Sequence, residues 1–183
     1  MRRTVALIVL LGGIALLAGG RSPAEDKKAA MEAMIKAATP GEPHKRLEAL
    51  AGSWDCSCKF WMDPSGPPTE SKAASESKMI MDGRYLEEKV SGDFGGMKFQ
   101  GQSVVGYDNL QKKYTFAWVD NMGTGIWTAS GTYDPDKKAI TYVGDEIDPL
   151  SGQKIKNKMV IHFIDKDKYE EDMYRWSATR TCR

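Results

Sequence analysis

The sequence predicts an all-β protein, an antiparallel up-and-down β-barrel of nine to ten strands with a short N-terminal capping helix. Three observations predict this fold. From Trp54 onward apolar residues alternate with polar ones, turn signals recur roughly every ten to fifteen residues, and no helical crossover separates the segments. Parallel strands need such crossovers, so an antiparallel meander remains. A meander of this length removes its unpaired edges by closing into a barrel.

Residues 1–20 differ in composition from the rest of the chain. Arg2 and Arg3 precede a continuous apolar run that ends in small residues, and residues 18–20 are the expected cleavage site. This pattern is typical of a secretory signal peptide. An uncleaved membrane anchor is the alternative, because the run is at the short limit for a spanning helix. We therefore expect an exported protein, periplasmic or extracellular.

The remaining chain divides into two parts. Residues 21–42 form a helical segment and linker, with helix formers over 25–39 before Pro40 and Gly41 interrupt the helix. Residues 43–183 form the barrel domain.

A second short helix is predicted over 44–51, at the start of the barrel domain. Leu47 and Leu50 lie on one face of this helix, and Gly52 ends it. Its apolar face suits a cap over one end of the barrel.

The first strand follows in the segment WDCSCKFWM. Its alternate residues Trp54, Cys56, Cys58, Phe60 and Met62 share one face, which we expect to face the core. Eight further strands lie between the turn signals. They are predicted near 69–81, 84–94, 97–107, 113–120, 125–133, 138–146, 153–164 and 168–175.

Nine strands leave the closure of the barrel open. The first and last strands of an up-and-down barrel run antiparallel only when the number of strands is even. The tail after residue 175 is short and polar. The sequence therefore leaves open whether this tail supplies a closing strand.

Charge and motifs exclude several functional classes. The 26 Lys and Arg residues balance 25 Asp and Glu residues and are interspersed with them, so we expect no nucleic-acid partner. A membrane partner is expected only through an uncleaved N-terminal segment. The sequence carries no zinc-ligand spacing, phosphate loop or serine nucleophile elbow, so we expect no cofactor, no metal site and no catalytic motif. The oligomeric state stays open.

The cysteines and histidines are few. Cys56 and Cys58 are too close along one strand to bridge easily, and Cys182 reaches either thiol only if the C-terminus returns beside that strand. His44 begins the capping helix, where it covers the barrel floor or caps local backbone groups. His162 shares a face with the lysines of its strand and is expected to point outward.

Gly52 and Trp54, which follow a short helix, resemble the opening of the calycin superfamily of lipocalins and fatty-acid-binding-protein-like barrels. Over residues 43–174 the chain is similar to the uncharacterised bacterial family called domain of unknown function 1579. The similar segments are PHKRLEALAGSW, VGYDNLQKKYTFAWVDNMGTGIW and VIHFIDKDKYEEDMY. The resemblance implies a calycin-like barrel with Gly52 and Trp54 as its structural motif. It also implies an arginine over Trp54, for which Arg175 and Arg180 are candidates, and no established activity.

Alternation also assigns the barrel interior, which has room for one small ligand. Glu87 and Glu88 are neighbours on opposite faces, so one of them faces inward unless the strand bulges. An inward Glu can meet a ligand's polar end or an arginine in a buried pair. The apolar candidates for the ligand-binding wall are Phe60, Met62, Phe116, Trp118, Met159, Ile161 and Phe163.

Three functions fit this pattern. The first is non-enzymatic binding of a small hydrophobic or amphipathic ligand in the barrel interior. The second is a lyase or isomerase that acts on a hydrophobic substrate in the same cavity, for which an inward carboxylate beside a tyrosine, with a raised pKa, would be the sign. The third is a structural or interaction protein with a filled barrel.

Overall fold

The structure is a computed structural model that describes residues 22–61, 65–149 and 151–176. The chain divides into two compact units, Met1–Lys36 and Ala37–Arg183.

The first helix, α1 (Pro23–Ala38), lies almost entirely in the first unit and is close to the helix predicted over 25–39. The Glu25 amide donates to Ser22 Oγ at 3.3 Å, and the Ser22 amide donates to the Glu25 carboxylate at 2.8 Å. This reciprocal capping explains why the helix begins after Ser22. The predicted signal peptide, residues 1–20, lies outside the described residues. Elsewhere, in the part of the chain that is described, no helix is both long and apolar enough to span a membrane.

The second helix, α2 (Glu42–Glu48), begins two residues before the predicted range of 44–51. Pro43 lies in its first turn, where a missing N–H costs no helical hydrogen bond. The Gly41 amide donates to His44 Nδ1 at 3.0 Å, so the His44 side chain caps the start of the helix. These two features account for the earlier start.

The second unit contains an antiparallel sheet of nine strands in chain order, which confirms the predicted meander. Each strand pairs with the next one along the chain, and the strand bounds lie within a few residues of those predicted. The strands are β1 (Gly52–Phe60), β2 (Thr69–Ile80), β3 (Tyr85–Phe94), β4 (Met97–Asp108), β5 (Lys113–Asp120), β6 (Trp127–Asp134), β7 (Ala139–Ile147), β8 (Lys154–Asp165) and β9 (Lys168–Trp176).

The sheet curls into a half-barrel, and the predicted closed barrel is not confirmed. Within the described residues β1 and β9 are the two edges of the sheet and are not hydrogen-bonded to each other. In an antiparallel meander of nine strands, the first and last strands run in the same direction. Antiparallel closure would therefore need a further strand.

The core lies between α2 and the concave face of the sheet. Leu47 of α2 is fully buried. The Arg46 guanidinium donates to the Tyr114 hydroxyl at 2.8 Å and lies 3.8 Å from the centre of the Tyr133 ring. These contacts hold α2 over one end of the half-barrel. The core residues packed around Leu47 include Leu50, Leu86, Val105, Phe116, Ile140, Tyr142, Met159 and Ile161.

Candidate functional site

Alternate residues of the strands face the concave side, as the sequence predicts. In β8, Asn157, Met159 and Ile161 are buried, while Lys156 and Lys158 on the opposite face are exposed. In β5, Tyr114 and Phe116 are buried. Residues directly opposite each other in neighbouring strands point to the same side, so the pairing register extends this face across the sheet.

Two of the predicted ligand-binding residues, Phe116 and Ile161, line an internal cavity of about 20 Å³. That volume holds about one water molecule. Met159 is fully buried in the core, and Phe163 packs against the core. The cavity wall combines apolar groups with two carboxyl groups. Its members are Leu50, Ser77, Leu86, Glu88, Val105, Phe116, Ile161, Tyr169 and Glu171.

The other predicted ligand-binding residues lie at the opposite, uncapped end of the concave face. Phe60 is 41% exposed and makes an edge-to-face contact with Phe94, with ring centroids 5.6 Å apart. Trp118 is half-buried and stacks on Phe99 at 6.3 Å. We call these four aromatic residues the mouth. Met62 lies outside the described residues.

The sequence predicts that either Glu87 or Glu88 faces inward, and in the structure Glu88 does. It lies directly opposite Ser103, whose hydroxyl donates to its carboxylate at 3.3 Å. Burial raises the pKa of Glu88, and interactions with Ser75, Ser103 and Tyr169 oppose the rise. An inward carboxyl group with a raised pKa therefore lies beside a tyrosine.

Glu87 points to the other side of β3. Its carboxylate lies 3.3 Å from Lys78 Nζ and accepts a hydrogen bond from Gln102 at 3.1 Å. Glu87 is therefore paired on the convex face, and only Glu88 faces the concave side.

Glu171 brings a second carboxyl group to the cavity from the edge strand β9, where it lies opposite Ile161. Burial raises its pKa to about 7, and the charges of Glu88 and Asp172 add to the rise. Protein atoms surround the Glu171 carboxyl group on the concave side, although the residue as a whole is exposed to solvent. At neutral pH this group is both a proton donor and a proton acceptor.

The sequence analysis missed Glu171, although an available signal could have found it. In β9, Tyr169, Glu171 and Met173 alternate with Glu170 and Asp172. Tyr169 is a half-buried aromatic residue of this strand and therefore marks its inward side. The two-residue period from Tyr169 would have placed Glu171 inside.

The aromatic partner of Trp54 is Tyr169. Their rings meet edge to face with centroids 4.9 Å apart, and the Trp54 indole N–H donates to the Leu50 carbonyl at 3.0 Å. The resemblance implied an arginine at this place. Among the described residues the ring contact comes from Tyr169 and not from Arg175, and Arg180 lies outside them.

Four buried side-chain atoms in the described part of the chain have no hydrogen-bond partner: Ser75 Oγ, Trp127 Nε1, Tyr142 Oη and Asn157 Oδ1. All four belong to residues on the concave face. Ser75 Oγ lies close enough to Glu88 to affect the pKa of that carboxyl group, yet it completes no hydrogen bond of normal geometry. Buried polar atoms nearly always have partners, so these four mark places where a ligand or ordered water would bind.

The histidines have the roles that the sequence predicts. His44 is buried against Tyr107, caps the Gly41 amide, and has a lowered pKa chiefly because of burial. His162 is on the convex face, where its Nε2 lies 3.4 Å from the Asp172 carboxylate.

The two described cysteines are free thiols on the concave side of β1. Burial is the main cause of the raised pKa of Cys56, which makes this thiol a weak nucleophile. Cys182 lies outside the described residues, so its pairing is untested. In the described ranges no group of His, Cys, Asp and Glu residues is arranged to hold a metal ion.

Comparison with known proteins places the chain in a family. Residues 39–180 match the family model described as a protein of unknown function (DUF1579). No curated protein sequence matches the chain. Because the family match covers most of the chain, including all nine strands, the protein belongs to the DUF1579 family.

Proposed function

We propose that the concave face of the half-barrel binds a small amphipathic molecule without chemically changing it. The observation that carries this proposal is the pair of carboxyl groups, Glu88 and Glu171, in a cavity whose other walls are mostly apolar. Such a combination of an apolar lining with a few convergent polar groups is typical of small-molecule sites.

The apolar part of the ligand would lie between the cavity and the mouth. Phe116 connects the two regions, because it lines the cavity and stacks on Trp118 with ring centroids 6.5 Å apart. Phe60 and Phe94 extend the apolar wall toward solvent. Burying a hydrocarbon chain against these rings supplies the driving force for binding. The cavity itself is small, so most of the chain would lie above it.

The polar end of the ligand would be a hydrogen-bond donor, and an amine fits best. Burial raises the pKa values of both Glu88 and Glu171, and repulsion by the charge of Glu88 adds to the rise at Glu171. A cation placed beside both carboxylates offsets that repulsion and restores their ionised forms. An anionic head group would add a third negative charge and is disfavoured.

The test compares decylamine with decanoate, which shares its hydrocarbon chain and carries the opposite charge. We expect calorimetry to detect decylamine binding and much weaker decanoate binding. The variants Glu88→Gln and Glu171→Gln should each weaken decylamine binding by about tenfold. Glu87→Gln is the matched control, because Glu87 lies next to Glu88 and faces the opposite side.

The proposal is wrong if neither amphiphile binds, which would indicate a filled structural barrel. It is also wrong if decanoate binds as tightly as decylamine. If Glu87→Gln and Glu88→Gln weaken decylamine binding equally, the carboxyl pair does not form the binding site.

A lyase or isomerase is the second candidate function, and Glu171 is the observation that favours it. A carboxyl group with a pKa of about 7 can remove and return a proton at neutral pH. Glu88 and Tyr169 adjoin the same cavity. If the site abstracts protons, methyl octyl ketone in deuterated water should exchange its α-hydrogens faster with the wild-type protein than with Glu171→Gln. Equal exchange rates would argue against this activity for such ketones.

We also propose that the chain is exported and that residues 1–20 are removed. The arginine pair and the apolar run in those residues support this proposal. Cell fractionation and mass spectrometry of a tagged chain should find a mature protein outside the cytoplasm that lacks this segment. A full-length chain in the cytoplasm would contradict it.

Finally, we infer that the half-barrel is a calycin-type barrel closed by a further strand. Gly52 and Trp54 at the start of β1, after a short capping helix, support this inference. Closure would protect the outer backbone amides of β1 and β9 from hydrogen exchange. Exchange of those amides at the rate of an unpaired edge would contradict it.

A further inference from the structure

We propose that Trp127 Nε1 and Asn157 Oδ1 form a second polar anchor, which takes a hydroxyl group at the far end of the amphipathic ligand. We call this site the notch, and it consists of Trp127, Gly144 and Asn157. The inference rests on the proposed function and makes it narrower. The ligand class is a hydrocarbon chain with an amine at one end and a hydroxyl at the other.

The notch lies around Gly144, which has no side chain and so lets the Trp127 indole lie close against β7. Gly144 lies directly opposite Asn157 in the ladder of β7 and β8. A Cβ atom at Gly144 would lie 2.9 Å from Trp127 Nε1. Side chains directly opposite each other in antiparallel strands lie about 5 Å apart. The indole N–H and the Asn157 amide therefore adjoin the same glycine.

Both polar atoms of the notch are buried without a partner. Asn157 is only 3% exposed, and its Nδ2 donates to the Glu146 carboxylate. That hydrogen bond fixes the amide and leaves Oδ1 as an unused acceptor. A hydroxyl group can accept from the indole N–H and donate to Oδ1 at the same time.

The notch lies at a suitable distance from the carboxyl pair. Glu171 is opposite Ile161, and Asn157 precedes Ile161 by four residues in β8, which is about 13 Å along the strand. The Phe116 ring lies between the two sites, because it lines the cavity with Glu171 and its centroid is 5.3 Å from that of Trp127. A hydrocarbon chain along Phe116 would connect the two anchors.

The experiment compares decylamine with the same amine carrying a hydroxyl on its terminal carbon. We expect the hydroxylated amine to bind the wild-type protein about fivefold more tightly, because one hydroxyl satisfies two buried groups. In Trp127→Phe and in Asn157→Leu, the two amines should bind with equal affinity, so that the ratio of affinities falls to about one. Trp54→Phe is the matched control and should preserve the wild-type ratio, because Trp54 lies outside the proposed binding wall and its Nε1 already donates to the Leu50 carbonyl at 3.0 Å. The ratio of two affinities stays informative even where a variant is less stable.

Two-dimensional NMR of the indole N–H groups gives an independent readout. The resonance that disappears in Trp127→Phe belongs to Trp127. It should move further on binding the hydroxylated amine than on binding decylamine, because only the first ligand accepts its hydrogen bond.

Two results would overturn the inference. If the hydroxylated amine binds no more tightly than decylamine, the notch holds ordered water only, and the decylamine result still supports the proposed function. If neither amine binds, the proposed function fails and this inference fails with it.

Discussion

Trp54 and Tyr169 meet edge to face, with ring centroids 4.9 Å apart, although their strands β1 and β9 share no hydrogen bond in the described part of the chain. The two edges of the half-barrel are therefore connected through side chains. Tyr169 also lines the cavity with Glu88 and Glu171. The same aromatic contact thus joins the sheet edges and positions one wall of the candidate site.

The first prediction concerns this contact. We expect Tyr169→Leu to lower the free energy of unfolding by about 2 kcal/mol, because it removes a half-buried ring. Combined with Trp54→Leu in a double-mutant cycle, it should give a coupling energy of about 1 kcal/mol. Urea denaturation measures both values. Additive effects of the two substitutions would mean that the rings do not stabilise each other.

The second prediction concerns the attachment of α2. Arg46 donates to the Tyr114 hydroxyl and stacks on Tyr133, and lysine keeps the charge of arginine but has no planar group to stack. We expect Arg46→Lys to lower the free energy of unfolding by about 1 to 2 kcal/mol. Lys45→Met is the control, because Lys45 forms an exposed ion pair with Glu42, which contributes little to stability. Similar losses in both variants would rule out a specific role for Arg46.

Local patterns were sufficient to predict the strands and their inward faces. In β8 the alternation that ends at Ile161 needed no information from other strands. The Asp82-Gly83 pair between β2 and β3 is typical of a two-residue hairpin turn. The observed turn has four residues, and Met81 also adopts a positive φ, with a value of 51°. Strand positions therefore depend mainly on local sequence, and details of the turns do not.

The candidate site was only partly predictable, because it depends on how the sheet curls. Glu88 and Glu171 come from β3 and β9, and no local pattern indicates that these strands face one cavity. The notch could not be predicted from local patterns either, since Trp127 and Asn157 adjoin one glycine only through the register of three strands. Curvature and register arise from packing between distant segments.

The third prediction concerns Gly101, which allows Trp118 to lie against β4. A Cβ atom at Gly101 would collide with the six-membered ring of Trp118. We therefore expect Gly101→Ala to displace that ring, alter its fluorescence and destabilise the fold by about 1 to 3 kcal/mol. Gly125→Ala is the control, because a Cβ there meets no atom within 4 Å. Unchanged fluorescence and stability in Gly101→Ala would contradict the close packing.

The last prediction concerns pH. The pKa of Glu171 is raised from 4.5 to about 7, so between these values the folded chain binds more protons than the unfolded chain. Its contribution to stability is therefore fully present below about pH 4.5 and is lost as the pH rises through 7. Solvent reaches the side chain, so the free energy of unfolding of the wild type should fall by only about 1 kcal/mol over this range. We expect this fall to be absent in Glu171→Gln. The hydrogen bond from Lys168 lowers the pKa of Glu170, so the contribution of Glu170 to stability increases with pH. Glu170→Gln should therefore remove an increase in the free energy of unfolding, the opposite of the effect of Glu171→Gln. Urea denaturation at several pH values measures both effects. Parallel stability profiles for wild type and Glu171→Gln would show that the Glu171 carboxyl group behaves as it does in water.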